Sequence, residues 1–207
     1  MKIKFVVFAY LCLFLSACTD LHSQLLPQKE NIIFIGNSIT LHPPALNIGW
    51  NGNFGMAASS EDTDYVHIIS RRLNANFKAF NLADWERNYS NYDFSELKKN
   101  EGWADLVIIK LGENVTEITP EFTKSFENLL KQLNCNNSVV VSTWWDKPQL
   151  NKYMRSVTLT NNYKWVQLPE HDATYNATNF KHSGVSTHPG DKGMQLIADS
   201  ILSEIIK

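Results

Sequence analysis

Five predominantly apolar stretches separated by amphipathic ones organise this chain. Ile32, Ile33, Phe34 and Ile35 form the first, rich in β-branched residues and without polar alternation. A strand covered on both faces of a parallel sheet reads this way. The run Phe77 to Leu82 predicts a second strand ending at Ala83-Asp84, and Trp103 to Leu111, with Leu-Val-Ile-Ile after Asp105, a third. Val139-Val140-Val141 predicts a fourth, ending in Thr143-Trp144-Trp145, and Tyr163 to Leu168 a fifth.

Helical spacing fills the intervals. Tyr65, Ile69 and Leu73 recur at four-residue steps, predicting a helix over about 62–73 with Ser59, Ser60 or Asp62 as cap. Thr119-Pro120-Glu121 opens another with a capping residue, a first-turn proline and an early acid, and Phe122, Phe126, Leu129, Leu130 and Leu133 form its buried stripe. A short helix is expected between Tyr89 and Lys99, and another from about Pro148 to Met154. Asp191 is expected to cap a last helix with Met194, Ile197, Ile201 and Ile205 on one side. Strands alternating with helical crossovers predict an α/β fold: a three-layer α/β/α sandwich around a five-stranded parallel sheet.

The first strand ends in Gly36-Asn37-Ser38. Both Gly36 and Asn37 tolerate a left-handed backbone, so a tight turn is expected to expose the Ser38 hydroxyl and N–H at the carboxyl end of the sheet, where such folds place ligands. The following stretch cannot be helical past Pro43-Pro44, and 49–55 is a glycine-punctuated loop carrying Trp50 and Phe54, expected to fold over the serine.

Composition narrows the function classes. The 207 residues are 43% hydrophobic and 19% charged, with a formal net charge of -2, which suits one globular domain and gives no reason to expect a nucleic-acid partner. Residues 1–17 differ. Lys2 and Lys4 precede an apolar run from Phe5 to Leu15, too short to span a bilayer comfortably, so they read as a signal peptide. Leu15-Ser16-Ala17-Cys18 resembles the lipobox of bacterial lipoproteins, which implies lipidation of Cys18, membrane attachment at the cell envelope, and a polar tether over 18–30 ahead of a domain over 31–207. Of the three cysteines, Cys12 lies in the apolar run and Cys18 is the lipidation candidate, which leaves Cys135 without an intramolecular partner. The six histidines show no ligand spacing, so neither a metal nor another cofactor is expected.

Serine needs a base within hydrogen-bond reach and donors aimed at the developing oxyanion. Ser38, His188 and Asn114 supply these three chemistries. Here the chain resembles the SGNH/GDSL hydrolase family, esterases, lipases and carbohydrate deacetylases on a flavodoxin-like fold. Four blocks match in order: Phe34 to Ile39, Asn81 to Asp84, Leu111 to Asn114, and His188-Pro189 with Gly193 and the apolar helix. The resemblance implies Ser38 as nucleophile and His188 as general base, with the Ser38 N–H, the Ala83 N–H and the Asn114 side chain as the oxyanion hole. Asn37 stands where aspartate is commoner, Ala83 where glycine is usual, and Val115 where aspartate usually follows the third block.

The clearest departure is Val185, three residues before His188, where the family keeps the triad acid. That leaves a carboxylate from elsewhere, a backbone carbonyl, or nothing; Asp172, Glu170 and Asp191 are nearest in sequence, and a Ser-His dyad is physically viable. The expected activity is hydrolysis of short acyl esters, acetyl foremost, on carbohydrate, with Trp50, Phe54 and Trp144 as candidate ring platforms. The alternatives are a non-catalytic carbohydrate-binding lipoprotein and an acyltransferase using the same residues.

Overall fold

The computed structural model describes residues 31–206. The expected signal peptide, lipidation site at Cys18 and tether fall outside the described residues. Five parallel strands, β1 (Asn31–Gly36), β2 (Asn76–Asn81), β3 (Leu106–Lys110), β4 (Ser138–Val141) and β5 (Lys164–Val166), pair in the order β2-β1-β3-β4-β5. This is the flavodoxin-like order, whose direction reverses between β1 and β3. The crossover segments carry α1 (Tyr65–Arg72), α2 (Ala83–Arg87), α3 (Ser95–Lys98), α4 (Pro120–Lys131) and α5 (Pro148–Thr160), and α6 (Ser183–Ser186) and α7 (Asp191–Ile205) follow β5.

Alternate strand residues feed two cores. Ile32, Phe34, Leu106, Ile108, Val139 and Val141 pack against α1 and α7, whereas Ile33, Ile35, Val107, Ile109 and Val140 pack against α4, α5 and Trp85 of α2. The central strands are therefore apolar on both faces, which is why their sequence shows runs rather than alternation. A third cluster, Trp50, Met56, Ala57, Ala177 and Val185, joins the loop after β1 to the segment before α7.

Element types match the sequence reading, but several boundaries move. β3 and β5 are shorter than expected, and α5 continues six residues beyond Met154 to Thr160. The first helix is capped by Asp64, which accepts the His67 N–H, not by Ser59, Ser60 or Asp62; a 3-10 turn over Glu61–Thr63 precedes it. Ala83-Asp84 begins a helix rather than ending a strand, and α6 interrupts the expected irregular loop before His188. Gly190, not Asp191, is the cap residue of α7. Asp191 instead accepts both the Ser59 N–H (2.7 Å) and the Ser59 hydroxyl (2.6 Å), pinning the loop after β1 to the start of α7.

Candidate active site

Ser38 and His188 lie 150 positions apart, yet Ser38 Oγ and His188 Nε2 are 2.8 Å apart. The serine follows β1 and the histidine immediately precedes Pro189 and α7, so the pair sits at the carboxyl edge of the sheet where strand order reverses. Open α/β folds bind ligands there.

The turn after β1 is not built by left-handed backbone, because neither Gly36 nor Asn37 has positive φ. Gly36 is required by close approach: an added Cβ would lie 1.7 Å from Thr40 Oγ1 and 2.9 Å from the Lys110 carbonyl oxygen. Asn37 is required by its carboxamide, which is fully buried. Its Oδ1 accepts the Ile39 N–H at 3.1 Å, and its Nδ2 donates to Glu86 Oε1 (3.0 Å) and Glu113 Oε2 (2.6 Å). The Met56 N–H on the Ser38 carbonyl (2.8 Å) completes the turn. The Ser38 N–H makes no hydrogen bond among the described residues, so it is free to meet an incoming oxyanion.

His188 is held differently from a triad histidine. Its ring is buried, and Nδ1 has no hydrogen-bond partner among the described residues. Val185 is fully buried in the third core cluster, Asp191 is bound to Ser59, and Asp172 caps a 3-10 turn by accepting the Thr174 N–H. None of them reaches the imidazole through a hydrogen bond, and no main-chain oxygen replaces them. The edge-to-face contact with Trp145, ring centroids 5.2 Å apart at 90°, orients the ring in place of a hydrogen bond. Burial lowers the His188 pKa from 6.5 to about 4; Glu113 opposes this and His42 and Lys110 assist it. The imidazole is therefore neutral at pH 7 and available as a base.

A buried polar network lies beneath the pair. Lys110 and Glu113, both with fully buried side chains, form an ion pair, and Glu113 also accepts the Trp144 N–H at 2.9 Å. Burial alone would raise the Glu113 pKa, but Lys110 and the hydrogen bonds from Trp144 and Asn37 outweigh it and hold the carboxyl below its usual range. Glu86 of α2 accepts from Asn37, from the Gly112 N–H (2.5 Å) and from Asn114 Nδ2 (2.5 Å); burial first and the Glu113 charge second raise its pKa. Sequence reading had no hold on Glu86 or Lys110. A lysine inside an apolar strand, three residues before a glutamate, was the one available signal.

The expected oxyanion donors are placed unequally. Asn114 follows β3, with Nδ2 on Glu86 and Oδ1 accepting from Arg87 at 3.4 Å. The Ala83 N–H donates to Asn81 Oδ1 at 2.9 Å, so an oxyanion would have to share that proton. The proposed ring platforms divide as well. Trp50 is 1% exposed and packs edge-to-face on Phe54, its Nε1 donating to the His42 carbonyl, so it is a core residue and offers no face to a ligand. Phe54 is half-buried by that same contact. Trp144 is also buried, stacked on His171 with centroids 3.7 Å apart, but it borders a cavity of about 530 Å³. Trp145 lines the same cavity together with Asn151, Gln167 and Glu170, and its ring meets that of His188 edge-to-face. Among the described residues no cluster of His, Cys, Asp and Glu could hold a metal, and no helix is long and apolar enough to cross a membrane.

No protein-family profile and no curated protein matches the sequence. Solved structures do. A family two carbohydrate esterase from Clostridium thermocellum in complex with cellohexaose superposes with a TM-score of 0.58 at 22% identity, over 86% of this chain and 64% of that one. This chain thus spans less than two thirds of that protein. A protein described as a GDSL-like lipase from Bacteroides ovatus superposes at 0.58 with 18% identity, over 83% of this chain and 95% of the other. The lipase/acylhydrolase from Enterococcus faecalis gives 0.52 at 15%, over 85% and 95%. The chain shares with these structures its fold, a three-layer α/β/α sandwich on a five-stranded parallel sheet.

Proposed function

We propose that the protein is a serine esterase of the SGNH type that hydrolyses short acyl esters, acetyl foremost, on carbohydrate. The observation that carries this reading is the 2.8 Å contact between Ser38 Oγ and His188 Nε2 at the switch point of the sheet. Ser38 Oγ attacks the ester carbonyl while Nε2 takes its proton, and the carbonyl oxygen becomes an oxyanion facing the Ser38 N–H, the Asn114 carboxamide and the Ala83 N–H. The imidazolium returns the proton to the departing sugar oxygen, leaving an acyl-serine. Water then attacks that ester, again losing its proton to Nε2, and releases the acid and free Ser38.

The carbohydrate preference is supported by the cavity lined by Trp145, whose ring touches that of His188, together with Asn151, Gln167, Asp146 and Glu170. Attachment at a bacterial envelope through lipidated Cys18 belongs to the same proposal, resting on the Leu15 to Cys18 sequence. The purified protein should release acetate from acetylated oligosaccharides and nitrophenol from nitrophenyl acetate, and Ser38→Ala should lower kcat by at least ~10³-fold. Undiminished activity in that variant would end the reading. The unpartnered His188 Nδ1 favours one rival, a binding protein that has lost hydrolysis. A fluorophosphonate, which labels an activated serine alone, separates the two.

A further inference from the structure

Asn114 contributes a carboxamide whose two ends have opposite polarity, and only the Nδ2 end can stabilise an oxyanion. What fixes its orientation is therefore part of the catalytic problem. On one side Nδ2 donates to Glu86 Oε2 at 2.5 Å; on the other Oδ1 accepts from Arg87 at 3.4 Å. Glu86 is itself immobile. It is 1% exposed, and its other oxygen accepts the Gly112 N–H at 2.5 Å and Asn37 Nδ2 at 3.0 Å. One carboxylate thus ties together the exit of β1 ahead of the serine, the exit of β3 ahead of the asparagine, and α2.

We propose that Glu86 is the positioning residue of the oxyanion hole: its hydrogen bond to Asn114 Nδ2 keeps one N–H of that amide engaged and the other turned to the substrate oxygen. The inference rests on the esterase reading given above. A carboxylate only accepts hydrogen bonds, so turning Oδ1 towards Glu86 would set oxygen against oxygen in a buried site. A glutamine at position 86 has the same shape but carries a donor, and its Nε2 satisfies Asn114 Oδ1 as readily as its Oε1 satisfies Nδ2. Glu86→Gln therefore releases the amide to rotate without opening a cavity. Glu86 never touches the substrate; its effect passes through Asn114.

The test is a double-mutant cycle on kcat for nitrophenyl acetate with the full chain, using Glu86→Gln, Asn114→Ala and both together. Loss of one oxyanion donor costs on the order of 100-fold in kcat. Glu86→Gln should lose a large part of that with KM unchanged, and should lose less than about 3-fold more in the Asn114→Ala background, as coupled residues do. Equal losses in both backgrounds would mean that Glu86 acts on the fold at large, and would overturn the inference. Should Glu86→Gln fail to fold, the wild-type protein still decides. The Asn114 Nδ2 protons, assigned by their disappearance in Asn114→Asp, should give two well-separated NMR signals with one protected from exchange; a freely rotating, rapidly exchanging amide refutes the proposal. Ser38→Ala is measured alongside. If it keeps full activity the esterase reading has failed, while the NMR result still judges the link between Glu86 and Asn114.

Discussion

Proton uptake by His188 gives the sharpest test of how this site works. The ring is buried, no acceptor among the described residues meets Nδ1, and burial takes its pKa from 6.5 down to about 4. At pH 5 an ordinary histidine is only about 3% neutral, whereas one titrating near 4 is about 90% neutral, roughly a 30-fold difference in competent base. The kcat/KM for an acetyl ester should therefore stay nearly flat from pH 7 to 5 and fall only towards 4. Stability follows the same group with a defined sign. Because the folded pKa lies below the unfolded one, the unfolded chain binds the proton first; the contribution of the neutral ring is complete above pH 6.5 and disappears as pH drops to about 4. The gap amounts to about 3 kcal/mol. Urea titrations of wild type and His188→Gln at pH 7 and pH 4 should differ by that amount in their pH dependence, and the comparison subtracts Glu86, whose raised pKa acts with opposite sign. A 15N-labelled imidazole titration assigns the value to His188 directly. A His188 midpoint at 6 or above would refute the reasoning, since it would require an acceptor on Nδ1.

Two further predictions concern the frame beneath the pair. Lys110→Met strands a buried Glu113 carboxylate and should cost about 3–5 kcal/mol in urea unfolding, and adding Glu113→Gln should recover part of the loss instead of deepening it. Gly112 combines a φ of 121° with an added Cβ only 2.7 Å from Thr143 Cγ2. Gly112→Ala should therefore destabilise by about 2 kcal/mol or more and shift the Asn114 turn enough to reduce kcat, read by thermal unfolding alongside esterase assays.

A five-stranded parallel sheet was accessible from the sequence because β1, β3 and β4 are apolar on both faces and crossover lengths favour parallel pairing, whereas the flavodoxin-like arrangement came only through family resemblance. The meeting of residues 38 and 188 was accessible only through family resemblance, since nothing local to either residue encodes a contact across 150 positions. Helix caps were misread for a physical reason: Ser59, Ser60, Asp62, Asp64 and Asp191 all carry cap-competent oxygens, and tertiary demand chose among them. Asp64 capped α1, while Asp191 was taken up by Ser59 from a distant loop. Trp50 was expected at the site from its loop beside Ser38 and Trp144 from its strand exit, but burial follows the third core cluster and the His171 stack, which sequence spacing does not report. Asn37 is instructive in the other direction. Its departure from the commoner aspartate looks neutral in sequence, yet in the fold its Nδ2 must donate to two carboxylates, a task an aspartate there could not perform.

That substitution and the missing triad acid are parts of one electrostatic arrangement. In the proposed reaction, proton transfer makes His188 cationic in the transition state, and a conventional triad stabilises that charge with a carboxylate on Nδ1. Here the favourable field comes from Glu113, which is already paired with Lys110, while Lys110 and His42 oppose the charge. Stabilisation on the base side is correspondingly small, so the barrier must be lowered chiefly on the oxyanion side, where Glu86 and Glu113 lock Asn37 and Glu86 locks Asn114. Such a division favours steps with little demand on the imidazolium. An aryl ester, whose leaving oxygen departs as a weak base, needs less from His188 than a sugar ester, whose alkoxide must be protonated as it leaves. Trp145 then matters beyond ring orientation. Its ring meets the imidazole edge-to-face and also lines the cavity, so a sugar seated there would lie against the side chain that orients the base.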